Sequence, residues 1–322
     1  MFFGDTEVWR TSTSEPLPAP GVRSTYVKDM TEYLYLWNSQ QDIIFDLGNV
    51  LNQDHDGYFN TTLTATFFME EDAVVGRNSP ADLIIPISTR DGASNRASHF
   101  TIPAETAINT INFPRNANRA VFTISATGLA DEEFWWSNVL QSKVDTFKET
   151  TGSIPGLSPF REVQVLIDGL LASVQWPFPV IFTGGVVPSL HRPIVGLQAF
   201  DIREHQIDIT PWLPLLCDGK EHTFTIRVIG VEDNNHSCHL SESVSDSWYV
   251  TGKIFVWLDA EGCITTGTFP IAESHHPSFT VPHKTKQDKT GRNKALHFNM
   301  DAERSLSVKS FVRSQSKAGE VF

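Results

Sequence analysis

Alternating polarity, broken at intervals by Asp-Gly pairs, restricts the fold of this chain more than any other feature. Val163, Val165 and Ile167 alternate around Gln164; Phe224, Ile226 and Val228 alternate with Thr225 and Arg227; Thr61, Leu63, Ala65 and Phe67 alternate with Thr62, Thr64 and Thr66. Successive side chains of a strand face opposite sides of a sheet, so each run predicts a half-buried strand. Asp56-Gly57, Asp91-Gly92, Asp168-Gly169 and Asp218-Gly219 supply the positive-φ residues of tight turns, and 162–176 reads as one hairpin about Asp168-Gly169. Helix signals are few. Asp29-Met30-Thr31-Glu32 has the form of a capping box opening about two turns to Leu36, and Thr210-Pro211-Trp212 starts another turn. Many strands with almost no helix predict an all-β protein built of jelly-roll β-sandwiches.

The block from Ile84 to Leu258 is rich enough in strands for one essentially complete sandwich. The strands before it suffice only for part of another. The expected organisation is therefore a partial first jelly roll over 1–78 and a second over 79–265. A linker rich in His, Pro, Lys and Thr follows over 266–295, and 296–322 reads as the start of a truncated C-terminal β region. The chain reads as cut at both ends.

Charge and cysteine narrow the function. The 322 residues carry 25 Lys+Arg against 38 Asp+Glu, a net charge of −13. An acidic chain without a basic stripe is a poor partner for nucleic acid. No apolar run approaches the roughly 20 residues of a membrane helix. Cys217, Cys238 and Cys263 cannot all pair with one another, so one thiol is free or lacks its partner, and no CxxC pair suggests a zinc ribbon. The start, Met1-Phe2-Phe3-Gly4-Asp5, is not a signal peptide. Two glycosylation sequons, at Asn60 and Asn235, matter only in a secreted chain.

No HExxH, P-loop, GxGxxG or GxSxG pattern occurs. His236-Ser237-Cys238-His239 resembles a metal cluster but lacks remote partners, so a polar loop is expected and no metal. The richest segment is 127–138, where Asp131, Glu132 and Glu133 precede Phe134, Trp135 and Trp136 at the end of a strand over 120–126. A carboxylate beside an apolar ring loses solvation of its charged form, which raises its pKa toward the range of a working acid or base. Indole faces suit the apolar face of a sugar ring. An acidic turn followed by core aromatics is the plain structural reading of the same residues. Trp176-Pro177-Phe178-Pro179 leading to Gly184-Gly185 forms a second candidate, a rigid loop or simply a turn. Asp46 and Asn49, with Asp54 and Asp56 nearby, form a third.

Several long runs, in order, resemble the peptide:N-glycanase A family. They include Phe3-Gly4-Asp5-Thr6-Glu7-Val8-Trp9-Arg10-Thr11-Ser12-Thr13, the Asp131-to-Asn138 run, Arg161-Glu162-Val163 and the Trp176-to-Gly185 run. Ile207-Asp208-Ile209-Thr210-Pro211 and Trp248-Tyr249-Val250-Thr251-Gly252-Lys253 belong with them. The resemblance is to the fungal branch and covers essentially 2–269. It implies a secreted or vacuolar glycoprotein amidase that hydrolyses the bond between N-acetylglucosamine and asparagine of an N-glycopeptide, with no metal or organic cofactor. It further implies two jelly rolls with carboxylates in the cleft between them, as in a bacterial amidase of like specificity. Glu133, Glu132 and Asp46 would then be catalytic, and Trp135, Trp136, Trp176, Asn49 and Arg192 would bind substrate. Two departures stand out. An aromatic-Asp-Arg strand expected just before Gly4-Asp5 lies upstream of Met1, and its aspartate is the expected main base. His191-Arg192 stands where Trp-Arg is expected. The alternative is thus a non-catalytic glycan-binding remnant of the same family.

Overall fold

The computed structural model describes residues 1–13, 21, 23–47, 52–53, 57–69, 79–180, 201–234, 237–315 and 320–321. Near the N-terminus β1 (Phe2–Phe3) pairs with β2 (Thr6–Glu7) and with β3 (Ile43–Ile44). Thr31–Asn38 forms a 3-10 helix. The Asp29 carboxylate accepts the Thr31 N–H at 2.9 Å, so the expected short helix is present, wound more tightly. The strand expected at 61–67 is not formed. Those residues are exposed, and no described strand lies beside them to complete their backbone hydrogen bonds. Within 1–78 the described residues thus form short strands and a 3-10 helix, not half of a sandwich.

The sandwich begins with β4 (Leu83–Pro86), β5 (Phe100–Ile102), β6 (Ala107–Asn112) and β7 (Ala117–Gly128). It continues with β8 (Glu162–Ile167), β9 (Leu170–Gln175), β10 (His205–Asp208) and β11 (Glu221–Ile229). A small hairpin, β12 (Val231–Asp233) and β13 (Cys238–Leu240), precedes β14 (Trp248–Leu258). One sheet has the order β10-β7-β14-β4, with β5 also on β14; the other is β6-β11-β8-β9. Early and late strands interleave across the two antiparallel sheets of this β-sandwich. Asp168 and Gly169, at φ 49° and 79°, turn β8 into β9 as the Asp-Gly pair predicted. Phe122, Ile124, Val163, Val165, Phe224, Ile226, Val250 and Ile254 meet between the sheets as the main core.

Both sheets are also covered on their outer sides. On the first, Phe255 and Ile84 pack against Phe3, Val8, Tyr33 and Leu36 in a second apolar cluster. Burial of such side chains is worth on the order of 1.5–3 kcal/mol each. On the second sheet the cover comes from the C-terminus. There β15 (Thr266–Gly267), β16 (Ile271–Ser274), β17 (Ser278–Thr280) and β18 (His283–Gln287) run out. β19 (Asn293–Phe298), β20 (Asp301–Glu303), β21 (Leu306–Lys309) and β22 (Phe311–Arg313) run back. They pair as β15–β22, β16–β21, β17–β20 and β18–β19 into one antiparallel ribbon. The expected linker over 266–295 is therefore the outgoing arm of this ribbon, and most of 296–322 is its return. Its polar composition follows from strands that face solvent over most of their length. Phe279 of the ribbon meets Phe160 edge to face at 5.4 Å. With that cover in place all six residues of β8 are buried, Glu162 and Gln164 included.

All three cysteines are free thiols. Burial pushes the Cys217 thiol up to about 12. Among the described residues no helix is long and apolar enough to cross a membrane.

Candidate active site

At one end of the sandwich β7 finishes at Gly128 and β14 begins at Trp248. Leu129 and Ser247 exchange backbone hydrogen bonds of 2.8 and 3.0 Å there. The chain then doubles back so tightly that a Cβ on Gly128 would lie 2.2 Å from the Glu132 carbonyl oxygen. Glu132 is thereby turned inward. Its carboxylate accepts from Arg161 Nε at 2.5 Å and Nη2 at 2.8 Å, from Trp248 Nε1 at 2.8 Å and from the Ser245 N–H at 3.2 Å. Both side chains of the ion pair are 0% exposed. The remaining guanidinium nitrogen, Nη1, donates to the carbonyls of Leu157, Ser158 and Phe160. Burial of two charges is tolerated only when both are fully paired in this way.

Next to this turn the N-terminal segment lies on the outer face of the first sheet. Glu7 forms a two-point pair with Arg10, Nε to Oε1 at 2.7 Å and Nη2 to Oε2 at 2.8 Å. Arg10 Nη1 reaches across to Thr127 Oγ1 at 3.0 Å and to the Tyr249 carbonyl at 2.8 Å. The Thr251 hydroxyl donates to Glu7, and Lys253 donates to the Glu7 carbonyl at 2.7 Å and to Glu204. Burial disfavours the Glu7 charge, but Arg10 and Thr251 outweigh it and hold the carboxyl below its usual range. Asp5 Oδ1 accepts from the Gly92 N–H at 2.9 Å and from the Ser98 hydroxyl. The junction between the two parts of the chain is thus ionic and hydrogen-bonded as well as apolar.

A groove of about 660 Å³ opens along this junction, between 44–47 on one side and 90–105 on the other. Asp46, Arg90, His99 and Glu105 line it. Arg90 donates to both oxygens of Glu105 and, at 2.7 Å, to the His99 carbonyl. Those bonds hold the Glu105 carboxyl below its usual range. His99 lies flat on Tyr249, centroids 3.9 Å apart. Burial first, then the charge of Arg10, lowers its pKa against the opposing pull of Glu7 and Asp46, so the imidazole is neutral at neutral pH. Among the described residues no three His, Cys, Asp or Glu side chains converge as metal ligands. His236 lies outside those residues.

The structure sorts the sequence candidates unevenly. Asp46 is exposed on the groove. Glu132 is sealed in its ion pair, where a substrate or a catalytic water cannot reach it. Glu133, the next residue, is half-buried, and no described residue bonds its carboxylate. Trp135 is buried, 6.2 Å from Trp248, and Trp136 packs on the main core. Trp135 offers no open face to a sugar, whereas Trp136 is half-buried. Trp176 does offer one: it is 44% exposed, with Nε1 3.2 Å from Glu162 Oε2. Asn60 is exposed. Asn49, Asp54, Asp56, Arg192, Asn235 and the end of the Trp176-to-Gly185 run lie outside the described residues. Sequence reasoning assigned no role to Glu7, Arg10, His99 or the Arg90–Glu105 pair. One signal was available. Thr251 and Lys253 alternate with apolar residues in β14, and a cation within an apolar strand implies a buried partner.

Fold and site together define an all-β sandwich protein with a polar, carboxylate-bearing groove where its two parts meet. The profile of one family, Peptide N-acetyl-beta-D-glucosaminyl asparaginase amidase A, matches residues 1–274, and the chain belongs to that family. A Peptide-N4-(N-acetyl-beta-glucosaminyl)asparagine amidase A of Prunus dulcis is 32% identical over 327 residues, covering 98% of this chain and 53% of its own length. The chain therefore spans about half of that relative. Among solved structures, PNGase F, a glycosylasparaginase from Flavobacterium meningosepticum, superposes with a TM-score of 0.33 at 8% identity, over 56% of this chain and 54% of its own. A likeness that loose bears on no individual residue.

Proposed function

We propose that this chain carries a glycoprotein amidase site that hydrolyses the bond between N-acetylglucosamine and asparagine, releasing the N-glycan and leaving aspartate. The observation that carries the reading is the groove at the junction, with Asp46 contributed from one side and His99 and the Arg90–Glu105 pair from the other, in a chain of this family. Amide hydrolysis needs a base to orient water, a donor for the departing nitrogen and stabilisation of the oxyanion. Glu133, half-buried and with no bond to its carboxylate among the described residues, takes the role of base. Glu132 holds the turn that presents it, through Arg161. Asp46 faces the glycosylated amide from the groove, whose lining includes neither Glu133 nor Trp176. Trp176, the most exposed of the three indoles, stacks on the sugar. Secretion or delivery to a vacuole accompanies this reading, with Asn60 as an accessible acceptor for a glycan.

The test is incubation of the chain with a dansylated N-glycopeptide, followed by mass spectrometry for conversion of Asn to Asp. Conversion that disappears in Glu133→Gln supports the reading. Glycopeptide binding without any conversion supports the second reading, a glycan-binding protein. In favour of that alternative, Glu132 and Glu105 are both already committed to arginines.

A further inference from the structure

The C-terminal ribbon extends beyond the residues matched by the family, yet it reaches one of the candidate sugar contacts from behind. Arg161 and Glu162 are neighbours at the start of β8, so their side chains leave opposite faces of the strand. Arg161 goes inward to Glu132. Glu162 goes outward, is fully buried, and gathers three partners. Gln164 Nε2 donates to Oε1 at 2.8 Å and Trp176 Nε1 donates to Oε2 at 3.2 Å. The third is Arg304 of the ribbon, whose Nε stands 3.3 Å from the same Oε2 that receives the indole. That approach lies off the hydrogen-bond line, so it is a charge contact. The guanidinium is fixed instead by Nη1, which donates to Ser274 Oγ at 3.1 Å and to the His275 carbonyl. The ribbon has a second hold. Phe279 packs on Phe160, and Phe160 meets Trp176 edge to face at 5.2 Å. An exposed indole is thus held at its N–H and against one ring, and both holds lead back to the ribbon.

We propose that Arg304 is a positioning residue for carbohydrate recognition, fixing Trp176 through Glu162 so that its exposed face accepts a pyranose ring of the glycan. The guanidinium charge beside Glu162 holds the carboxylate in place, and the carboxylate orients the indole. Without the charge, Glu162 sits buried with only neutral donors, and the indole loses its fixed angle. This rests on Trp176 as a sugar contact, but not on the chain being catalytic.

The experiment is a double-mutant cycle on binding of a dansylated N-glycopeptide by anisotropy, using the full chain. Trp176→Ala weakens binding about three- to tenfold, the range of one aromatic contact. Arg304→Met produces a comparable loss, Arg304→Lys restores most of it, and Arg304→Met adds nothing in the Trp176→Ala background. A merely structural Arg304 would lower stability without that dependence on Trp176. Unchanged binding in Trp176→Ala or in Arg304→Met overturns the proposal, as does a full additive loss in the double variant. Conversion of the same peptide is read alongside. Absent turnover with the cycle intact removes the amidase reading alone, and intact turnover with a flat cycle removes this one alone.

Discussion

Replacing Glu132 by glutamine preserves the shape of the side chain and removes its charge. The Arg161 guanidinium, which has no exposed surface, then faces a neutral amide whose NH2 group can repel it. Four donors now converge on that carboxylate, two of them from the guanidinium. A neutral amide oxygen cannot serve all four. Breaking a fully buried pair from one side costs about 3–5 kcal/mol. For a chain with a core of this size each kcal/mol shifts Tm by about 2–4 °C, so the variant melts roughly 6–20 °C lower. The assay is thermal unfolding followed by near-ultraviolet circular dichroism, where Trp135 and Trp248 report on the same turn. Adding Arg161→Met recovers part of the loss, because an apolar stem strands no charge. A Tm within about 2 °C of the parent would refute the claim that this ion pair builds the end of the sandwich.

Three further outcomes follow from the geometry. Glu133→Gln abolishes conversion of the glycopeptide while altering stability by no more than about 0.5 kcal/mol, since its carboxylate has no described partner; chemical denaturation and mass spectrometry read the two effects separately. Gly128→Ala drives a Cβ into the Glu132 carbonyl oxygen and costs about 1–3 kcal/mol, with a changed near-ultraviolet spectrum; an unchanged spectrum would show that the turn has room to spare. Because the Glu7 carboxyl is depressed from its ordinary value of 4.5, its contribution to stability is fully present above that pH and lost as pH falls through the lower folded value. Glu7→Gln therefore flattens the acid limb of the Tm profile below about pH 4.5, and an unaltered limb would remove Glu7 from the account of acid unfolding.

Much of the sandwich could be read locally. The alternation in 163–167 and 224–228 put the correct residues into the core, and Asp168-Gly169 turned where expected. Both are properties of a few consecutive residues: pleat geometry and the tolerance of a turn for positive φ. Where the same pattern misled, at 61–67, the local signal was present but no described strand lies alongside, and a strand is defined by its neighbour. The ribbon failed in the opposite sense. Its composition resembled a linker because its strands face solvent, and their pairing, Ile271 with Lys309 for instance, joins residues far apart in sequence.

The sequence by itself determined that this is a β protein, which side chains of β8 and β11 point inward, and that carboxylates and indoles crowd the segment after β7. Only the tertiary structure decided which of two adjacent glutamates is accessible, which indole keeps an open face, and that Glu7, Glu132 and Glu162 each answer a cation. Glu162 finds its cation in Arg304, from the far end of the chain. A strand's own residues state which faces it has, but not what will cover them. The partner of a buried carboxylate is settled by whatever covering segment brings a cation within reach.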